Sequence, residues 1–191
     1  MYHSELRLVL ASASPRRAEL LTRAGYAFDV VPANIDERVL DGETPERYVV
    51  RLAGAKVDAV AVTYQGRVLL GADTIVTIDK TLLGKPRDPA EAGEMLHRLA
   101  GRTHEVLTGV ALRLDRAHVS AVERTRVTLT QLSDVEIDWY VRTGEPLDKA
   151  GAYGVQDIAS RFVTRVEGSY TNVVGLPVSL IDRLLRELAE G

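Results

Sequence analysis

Residues 68–78 restrict the fold of this chain most, because they are apolar at nearly every position. Such a segment predicts a β-strand that is buried on both faces. Asp73 interrupts it, and a carboxylate there is costly unless it is hydrogen-bonded, paired or bound to a metal ion. Asp73 is therefore either a structural aspartate held by backbone N–H groups or a site residue. Gly71, two residues earlier, permits close approach of another backbone.

A helix start near the N-terminus is the second informative feature. Ser14 is a favourable N-cap, Pro15 suits the first helical position, and Gly25 suits a left-handed C-terminal cap. Arg16 and Arg17 fall on the first turn, where their charge opposes the helix dipole. One interpretation is that they bind an anion such as phosphate at this helix end. The other is that they are solvated side chains after an ordinary cap.

The remaining pattern predicts strands and helices that alternate early, with a β-hairpin inserted in the middle. Strands are expected at 6–10, 26–31, 103–114, 119–131 and 162–166, with a hairpin turn at 79–80. Helices are expected after Thr44, Asp88, Ser133 and Leu176. Polar loops are expected at 33–44, 84–88, 145–156 and 168–175. We therefore expect an α/β fold with a central mixed β-sheet flanked by helices. It forms one domain over 1–191, or two lobes around an active-site cleft.

Composition excludes several classes of protein. The 191 residues are 46% hydrophobic, which is enough for a sizeable core, and the net charge of −3 argues against a general nucleic-acid binder. The absence of cysteine excludes disulfides and thiolate metal sites. Residues 1–7 show no signal-peptide pattern, and no apolar run approaches the ~20 residues of a membrane span. We expect a soluble cytoplasmic protein without membrane or nucleic-acid partners.

Scattered charged residues together suit a polyphosphate and a divalent cation. Lys56 lies at the edge of an apolar helix face and Lys85 in a glycine–proline loop, although each alone is equally compatible with an ordinary surface lysine. Glu37 and Asp73 offer the carboxylate oxygens that Mg²⁺ or Mn²⁺ prefers. The chain has no P-loop motif. Its histidines lie at unrelated positions and predict no metal site: His3, His97, His104 and His118.

Seven motifs in a fixed order resemble the Maf family of nucleoside triphosphate pyrophosphatases, and the match runs nearly end to end. They are LASASPRR (10–17), DE (36–37), RLA followed by a lysine (51–56), GADTIV (71–76), GKP (84–86), EPLDKAGAYGVQ (145–156) and GSYTNVVGLP (168–177). Each motif alone is a weak signal. The complete ordered set is highly specific.

The resemblance implies cleavage of nucleoside triphosphates between the α- and β-phosphates, giving the monophosphate and pyrophosphate. It implies that Asp73 is the general base that the family is proposed to use. It also implies that Glu37 and Asp73 bind a divalent metal ion (Mg, Mn or Co). Three cationic side chains would neutralise the phosphates: Arg17, Lys56 and Lys85. Ser12 would line the same pocket. This assignment is chemically sound, because phosphoryl transfer relies on positioning and charge stabilisation. The resemblance also implies a homodimer.

Three positions resemble the dTTP/UTP subgroup of that family. The dTTP/UTP members carry arginine, threonine and glutamine there, and this chain has Arg16, Thr74 and Gln156. Members that act on 7-methyl-GTP carry tryptophan, glutamine and glutamate at the same positions. A carboxamide such as Gln156 both donates and accepts, as O4 and N3–H of thymine or uracil require. Asp157 is a departure, since many members have glycine there. An acidic residue beside the base pocket is expected to change either the preference for the base or the requirement for a metal ion.

Two functions remain open at this point. One is a metal-dependent pyrophosphatase that removes dTTP, UTP and modified pyrimidine nucleotides, with a 7-methyl-GTP preference as its variant. The other is a nucleotide-binding regulator that restrains cell division. Asp73 favours the enzyme, because a pure phosphate-binding module needs cations and is weakened by a buried carboxylate.

Overall fold

The computed structural model describes residues 7–190. The strands are β1 (Arg7–Leu10), β2 (Ala27–Val30), β3 (Leu69–Ile78), β4 (Thr81–Leu83), β5 (Thr103–Leu114), β6 (Ala117–Leu129) and β7 (Val163–Glu167). The helices are α1 (Pro15–Arg23), α2 (Pro45–Ala61), α3 (Pro89–Leu99), α4 (Asp134–Arg142), α5 (Tyr170–Val174) and α6 (Val178–Glu190), with 3-10 turns at Glu145–Asp148, Ala150–Ala152 and Ile158–Phe162. The expectations for His3 and for a missing signal peptide lie outside the described residues.

One mixed sheet joins the seven strands in the order β2-β1-β3-β5-β6-β7, with β4 paired to β3. Strand β1 is parallel to both β2 and β3, whereas the β3–β4 and β6–β7 pairs are antiparallel. Strand β3 is buried along almost its whole length, as its continuous apolar sequence predicts. The predicted α/β fold with a central mixed sheet is confirmed.

The chain divides into two compact units. Unit 1 contains the described residues of 7–73, 108–123 and 175–190, and unit 2 contains 74–107 and 124–174. Apolar residues of α2, β1, β3 and β5, together with the residue after β1, form a core in unit 1: Val9, Ala11, Ala53, Val57, Val60, Leu69 and Ala111. A larger core in unit 2 involves α3 and α4 and includes Leu96, Leu99, Ile137, Tyr140 and Phe162.

Helix α2 packs directly on two glycines of the sheet in unit 1. A Cβ atom at Gly71 would lie 2.8 Å from Val57 Cγ2 and would overlap the carbonyl oxygen of Ala53. A Cβ atom at Gly109 would overlap the backbone of Val49 in the same way. The close approach predicted at Gly71 is therefore real, and it brings the buried face of α2 against β3.

The predicted caps are at the expected positions, but one of them lacks the side-chain hydrogen bond that a cap usually makes. Thr44, Asp88 and Ser133 each accept a backbone N–H of the first helical turn, and Ser133 forms a full capping box. Gly25 has the expected positive φ of 80°. Ser14 occupies the N-cap of α1, but its side chain makes no capping hydrogen bond.

Two loop predictions are wrong in part. The segment 145–156 is predicted as a polar loop, yet it buries Ala152 at the end of a 3-10 turn, and Tyr153 and Val155 just after that turn. The segment 168–175 was expected to be a polar turn, yet it contains helix α5. Short helices of this kind carry too few residues for a helical period to show in the sequence.

Helix lengths bear on membrane insertion. The longest helix among residues 7–190 is α2 with 17 residues, and no helix in this range is long and apolar enough to cross a membrane.

Candidate active site

Unit 1 contains a buried charge pair. Lys56 on α2 places its Nζ atom 2.5 Å from Oδ1 of Asp73 on β3, and the two residues are 7% and 8% exposed. Glu37, from the loop before α2, places Oε1 2.8 Å from the same Nζ atom. Lys56 therefore does not extend into water, and it neutralises a carboxylate that the apolar strand would otherwise disfavour.

Electrostatics make Asp73 a stronger base than an ordinary aspartate. Burial raises the pKa of Asp73, whereas the charges of Lys56 and Arg17 oppose this rise and the nearby Glu37 carboxylate adds to it. A carboxylate with a raised pKa accepts a proton more readily in the neutral range. The site thus combines a basic carboxylate with compensating cations.

Arg17 is held at the beginning of α1 by two hydrogen bonds. Its Nε atom donates to the carbonyl oxygen of Gly175 at 2.9 Å, and its NH1 group donates to Ser12 Oγ at 3.1 Å. Burial lowers the pKa of Arg17, and the charges of Asp73 and Glu37 act against that shift. Arg17 is thus partly buried and hydrogen-bonded within the protein, which does not fit a fully solvated side chain, and its role in anion binding stays a prediction.

The loop that carries Glu37 is attached to α2 by two side chains that the sequence did not identify as site residues. Tyr48 donates from its hydroxyl to the carbonyl oxygen of Glu37 at 2.8 Å. Arg51 donates to the carbonyl oxygen of Arg38 at 3.0 Å and binds Glu43 through two of its nitrogen atoms. In the sequence, Tyr48 falls at helical spacing with the apolar residues of α2, so the pattern indicates that it packs in the core and gives no sign of a site role. Arg51 belongs to a family motif, which is the one signal that could have identified it.

The remaining predicted residues lie in unit 2, apart from Arg16 on α1. Thr74 is half-buried and directly follows Asp73 on β3, Lys85 is exposed, and Gln156 is half-buried in a turn. A backbone hydrogen bond from Gly151 N to Gly84 O, 3.0 Å long, joins the loop of Lys85 to the segment that carries Gln156. Their roles in substrate binding stay predictions.

A divalent cation in unit 1 stays a prediction, which rests on two carboxylates of the donor type that such an ion takes. No cluster of three or more histidine, cysteine, aspartate or glutamate residues within 7–190 is arranged to hold a metal ion. Glu37 and Asp73 nevertheless lie together, since each places one carboxylate oxygen within 2.8 Å of the Lys56 ammonium, which occupies the point between these two oxygens. Mg²⁺ usually takes one or two carboxylates and completes its shell with water and substrate phosphates. Two carboxylates are therefore an adequate protein contribution for a nucleotide-dependent site.

Comparison with known proteins places the chain in a family. Residues 7–188 match the model of the Maf-like proteins, and the chain belongs to the Maf family. A protein of Koribacter versatilis named dTTP/UTP pyrophosphatase is 50% identical over 97% of this chain and 96% of its own. A protein of Anaeromyxobacter dehalogenans with the same name is 53% identical over 94% of this chain and 93% of its own.

Among solved structures, the Ham1 protein of Staphylococcus aureus is similar at a TM-score of 0.47, with 14% identity over 95% of this chain and 98% of its own.

Proposed function

We propose that this protein hydrolyses nucleoside triphosphates, with dTTP and UTP as its preferred substrates, to the monophosphate and pyrophosphate. The relatives named for this activity match nearly the whole chain at about half of all positions. The structural observation that carries the proposal is the buried Lys56–Asp73 pair with Glu37 beside it. This arrangement suits a polyanionic substrate that is attacked by an activated water molecule.

Asp73 is the proposed general base. It accepts a proton from the water that attacks the α-phosphate, a role favoured by its raised pKa. Lys56 fixes the Asp73 carboxylate by a direct hydrogen bond, so the base is oriented before substrate arrives. Arg17, Lys56 and Lys85 supply positive charge to the phosphate chain, and Ser12 orients Arg17 through the hydrogen bond between them.

Glu37 and Asp73 are the proposed ligands of a divalent cation, Mg, Mn or Co. Such an ion lowers the pKa of bound water and offsets phosphate charge. Glu37 is suited to this role because Tyr48 and α2 hold its backbone in place while its carboxylate stays more than half exposed.

Arg16, Thr74 and Gln156 are the proposed determinants of base preference. The Gln156 carboxamide carries a donor and an acceptor side by side, which matches N3–H and O4 of thymine or uracil. We propose in addition a cytoplasmic homodimer that acts on free nucleotides. A regulator of cell division that only binds nucleotides is the second candidate, and the buried Asp73 carboxylate speaks against binding as its sole task.

Pyrophosphate release from a panel of nucleotides tests the proposal. The panel contains dTTP, UTP, dCTP, GTP and 7-methyl-GTP, each with Mg²⁺, Mn²⁺, Co²⁺ or EDTA. We expect metal-dependent release that is fastest with dTTP and UTP. A preference for 7-methyl-GTP would overturn the assigned base preference. Binding of nucleotides by folded protein without any release would favour the regulator.

A further inference from the structure

The predicted base-reading residue, Gln156, sits in a tight turn. The Asp157 backbone N–H donates to the carbonyl oxygen of Gly154 at 3.4 Å, so Val155 and Gln156 occupy the central positions of a β-turn. The direction of the Gln156 side chain therefore depends on how firmly Gly154 and Asp157 are held.

One buried lysine contacts both ends of this turn. The stem of Lys149 passes beneath Gly154 so closely that a Cβ atom there would lie 2.5 Å from Lys149 Cε and 2.8 Å from Cδ. The ammonium of the same lysine lies 3.7 Å from Asp157 Oδ2. Only 9% of the Lys149 side chain is exposed. The first residue of the turn is thus packed on the stem, and the last is attracted to its charge.

Lys149 is itself fixed by a network in unit 2. Its ammonium donates to the carbonyl oxygen of Glu145 at 3.0 Å and to Asp148 Oδ1 at 2.9 Å. The Glu145 carboxylate accepts the Tyr140 hydroxyl at 2.7 Å and the backbone N–H groups of Ile158 and Ala159, which directly follow the turn. The network therefore reaches the chain on both sides of Gln156.

We propose that Lys149 is a positioning residue for base recognition, because it fixes the turn that orients the Gln156 carboxamide. This inference rests on the proposed function and deepens it. A turn held in one place gives the Gln156 side chain one approach to the base, whereas a mobile turn lets the carboxamide meet either the pattern of thymine or the reversed pattern of cytosine. A fixed carboxamide distinguishes the two bases. Asp157 then acts as a clamp on the turn and not as a contact to the base.

The test compares dTTP with dCTP. We expect Lys149→Met, which keeps the stem and removes the charge, to lower the ratio of kcat/KM for dTTP over dCTP by at least about tenfold, mainly through KM. Lys80→Met, at an exposed lysine in the same unit, is the matched control and should keep the wild-type ratio. The ratio of Kd values for the two nucleotides, measured on the same samples, should change in parallel.

A second pair of variants covers poor folding of Lys149→Met. Asp157→Asn and Asp148→Asn each remove one negative charge next to the Lys149 ammonium, but only Asp157 belongs to the turn. We expect Asp157→Asn to lower the dTTP preference and Asp148→Asn to preserve it. An unchanged preference in folded Lys149→Met, or in Asp157→Asn, would overturn the inference alone. A wild-type protein without preference for dTTP over dCTP would overturn the proposed base preference as well.

Discussion

Lys56 and Asp73 meet at 2.5 Å in the interior of unit 1, where neither residue is more than 8% exposed. Each charge makes the burial of the other tolerable, because an isolated ion in such surroundings is strongly disfavoured. The pair also connects fold to chemistry, since α2 supplies the cation and β3 supplies the carboxylate.

Removing one member of the pair should cost more stability than removing both charges. We expect Lys56→Met to lower the free energy of unfolding by about 3–5 kcal/mol, because it leaves the Asp73 carboxylate buried without its cation. The double variant with Asp73→Asn should recover part of that loss. Urea unfolding of the four proteins in a double-mutant cycle gives the coupling. A double variant that is as unstable as the sum of the two single variants would show that the pair is not coupled.

Asp73→Asn should separate binding from turnover. We expect nucleotide binding to persist while kcat falls by about 10²–10⁴-fold, because the amide keeps the shape of the carboxylate and cannot accept the proton of water. Asp58→Asn is the matched control, since Asp58 is an exposed carboxylate on α2 that pairs with Arg113. Turnover near the wild-type rate in Asp73→Asn would remove this residue from the mechanism.

The packing of α2 on Gly71 should control both stability and activity. Gly71→Ala places a methyl group into the carbonyl oxygen of Ala53, and we expect a loss of at least about 3 kcal/mol together with reduced turnover as Lys56 is displaced. Gly54 lies on α2, and apart from the neighbouring backbone of that helix no atom lies within 4 Å of a Cβ placed there, so Gly54→Ala should stabilise the protein by about 0.5–1 kcal/mol. Thermal unfolding and pyrophosphate release measure the two effects. Equal stability of the two variants would contradict this account.

His104 should make the protein sensitive to mild acid. The ring is buried, its Nε2 atom lies 2.7 Å from the Tyr153 hydroxyl, and its Nδ1 atom has no hydrogen-bond partner among the described residues. Burial lowers the pKa of His104 to about 4 from its ordinary 6.5. The unfolded chain therefore binds more protons between these values, and the neutral ring contributes stability that is lost as pH falls from about 6.5 to 4.

The size of this effect is up to about 3 kcal/mol, measured as the free energy of unfolding across that pH range. We expect His104→Gln to flatten the dependence on pH, since glutamine does not titrate. His118→Gln, the same substitution at an exposed position, is the control. An equal slope in wild-type protein and His104→Gln would show that His104 does not cause the loss.

The sequence predicted the features that depend on neighbouring residues. The buried strand β3, the caps at Thr44, Asp88 and Ser133, and the two-residue turn at Asp79–Lys80 were all predicted correctly, because composition and local hydrogen bonding determine them. The ordered motifs identified the family, which the match over residues 7–188 confirms.

Contacts between distant residues were beyond the sequence pattern. Lys56 and Asp73 are 17 positions apart and belong to different elements, so only the resemblance joined them before the structure did. Tyr48 was indistinguishable from a core residue, and Lys149 was an unremarked member of a motif. The sequence did not predict the burial of Tyr153, because this residue lies in irregular extended backbone after the 3-10 turn Ala150–Ala152, where no helical or strand period marks buried positions.

The most direct test of the central claim is the fate of labelled water. Hydrolysis of dTTP in water enriched with ¹⁸O, followed by mass spectrometry of both products, shows which phosphorus atom is attacked. Attack on the α-phosphate by water that Asp73 activates predicts the label in dTMP and unlabelled pyrophosphate, with both products formed about 10²–10⁴-fold more slowly in Asp73→Asn. Label in pyrophosphate, or release of orthophosphate with dTDP, would contradict the account.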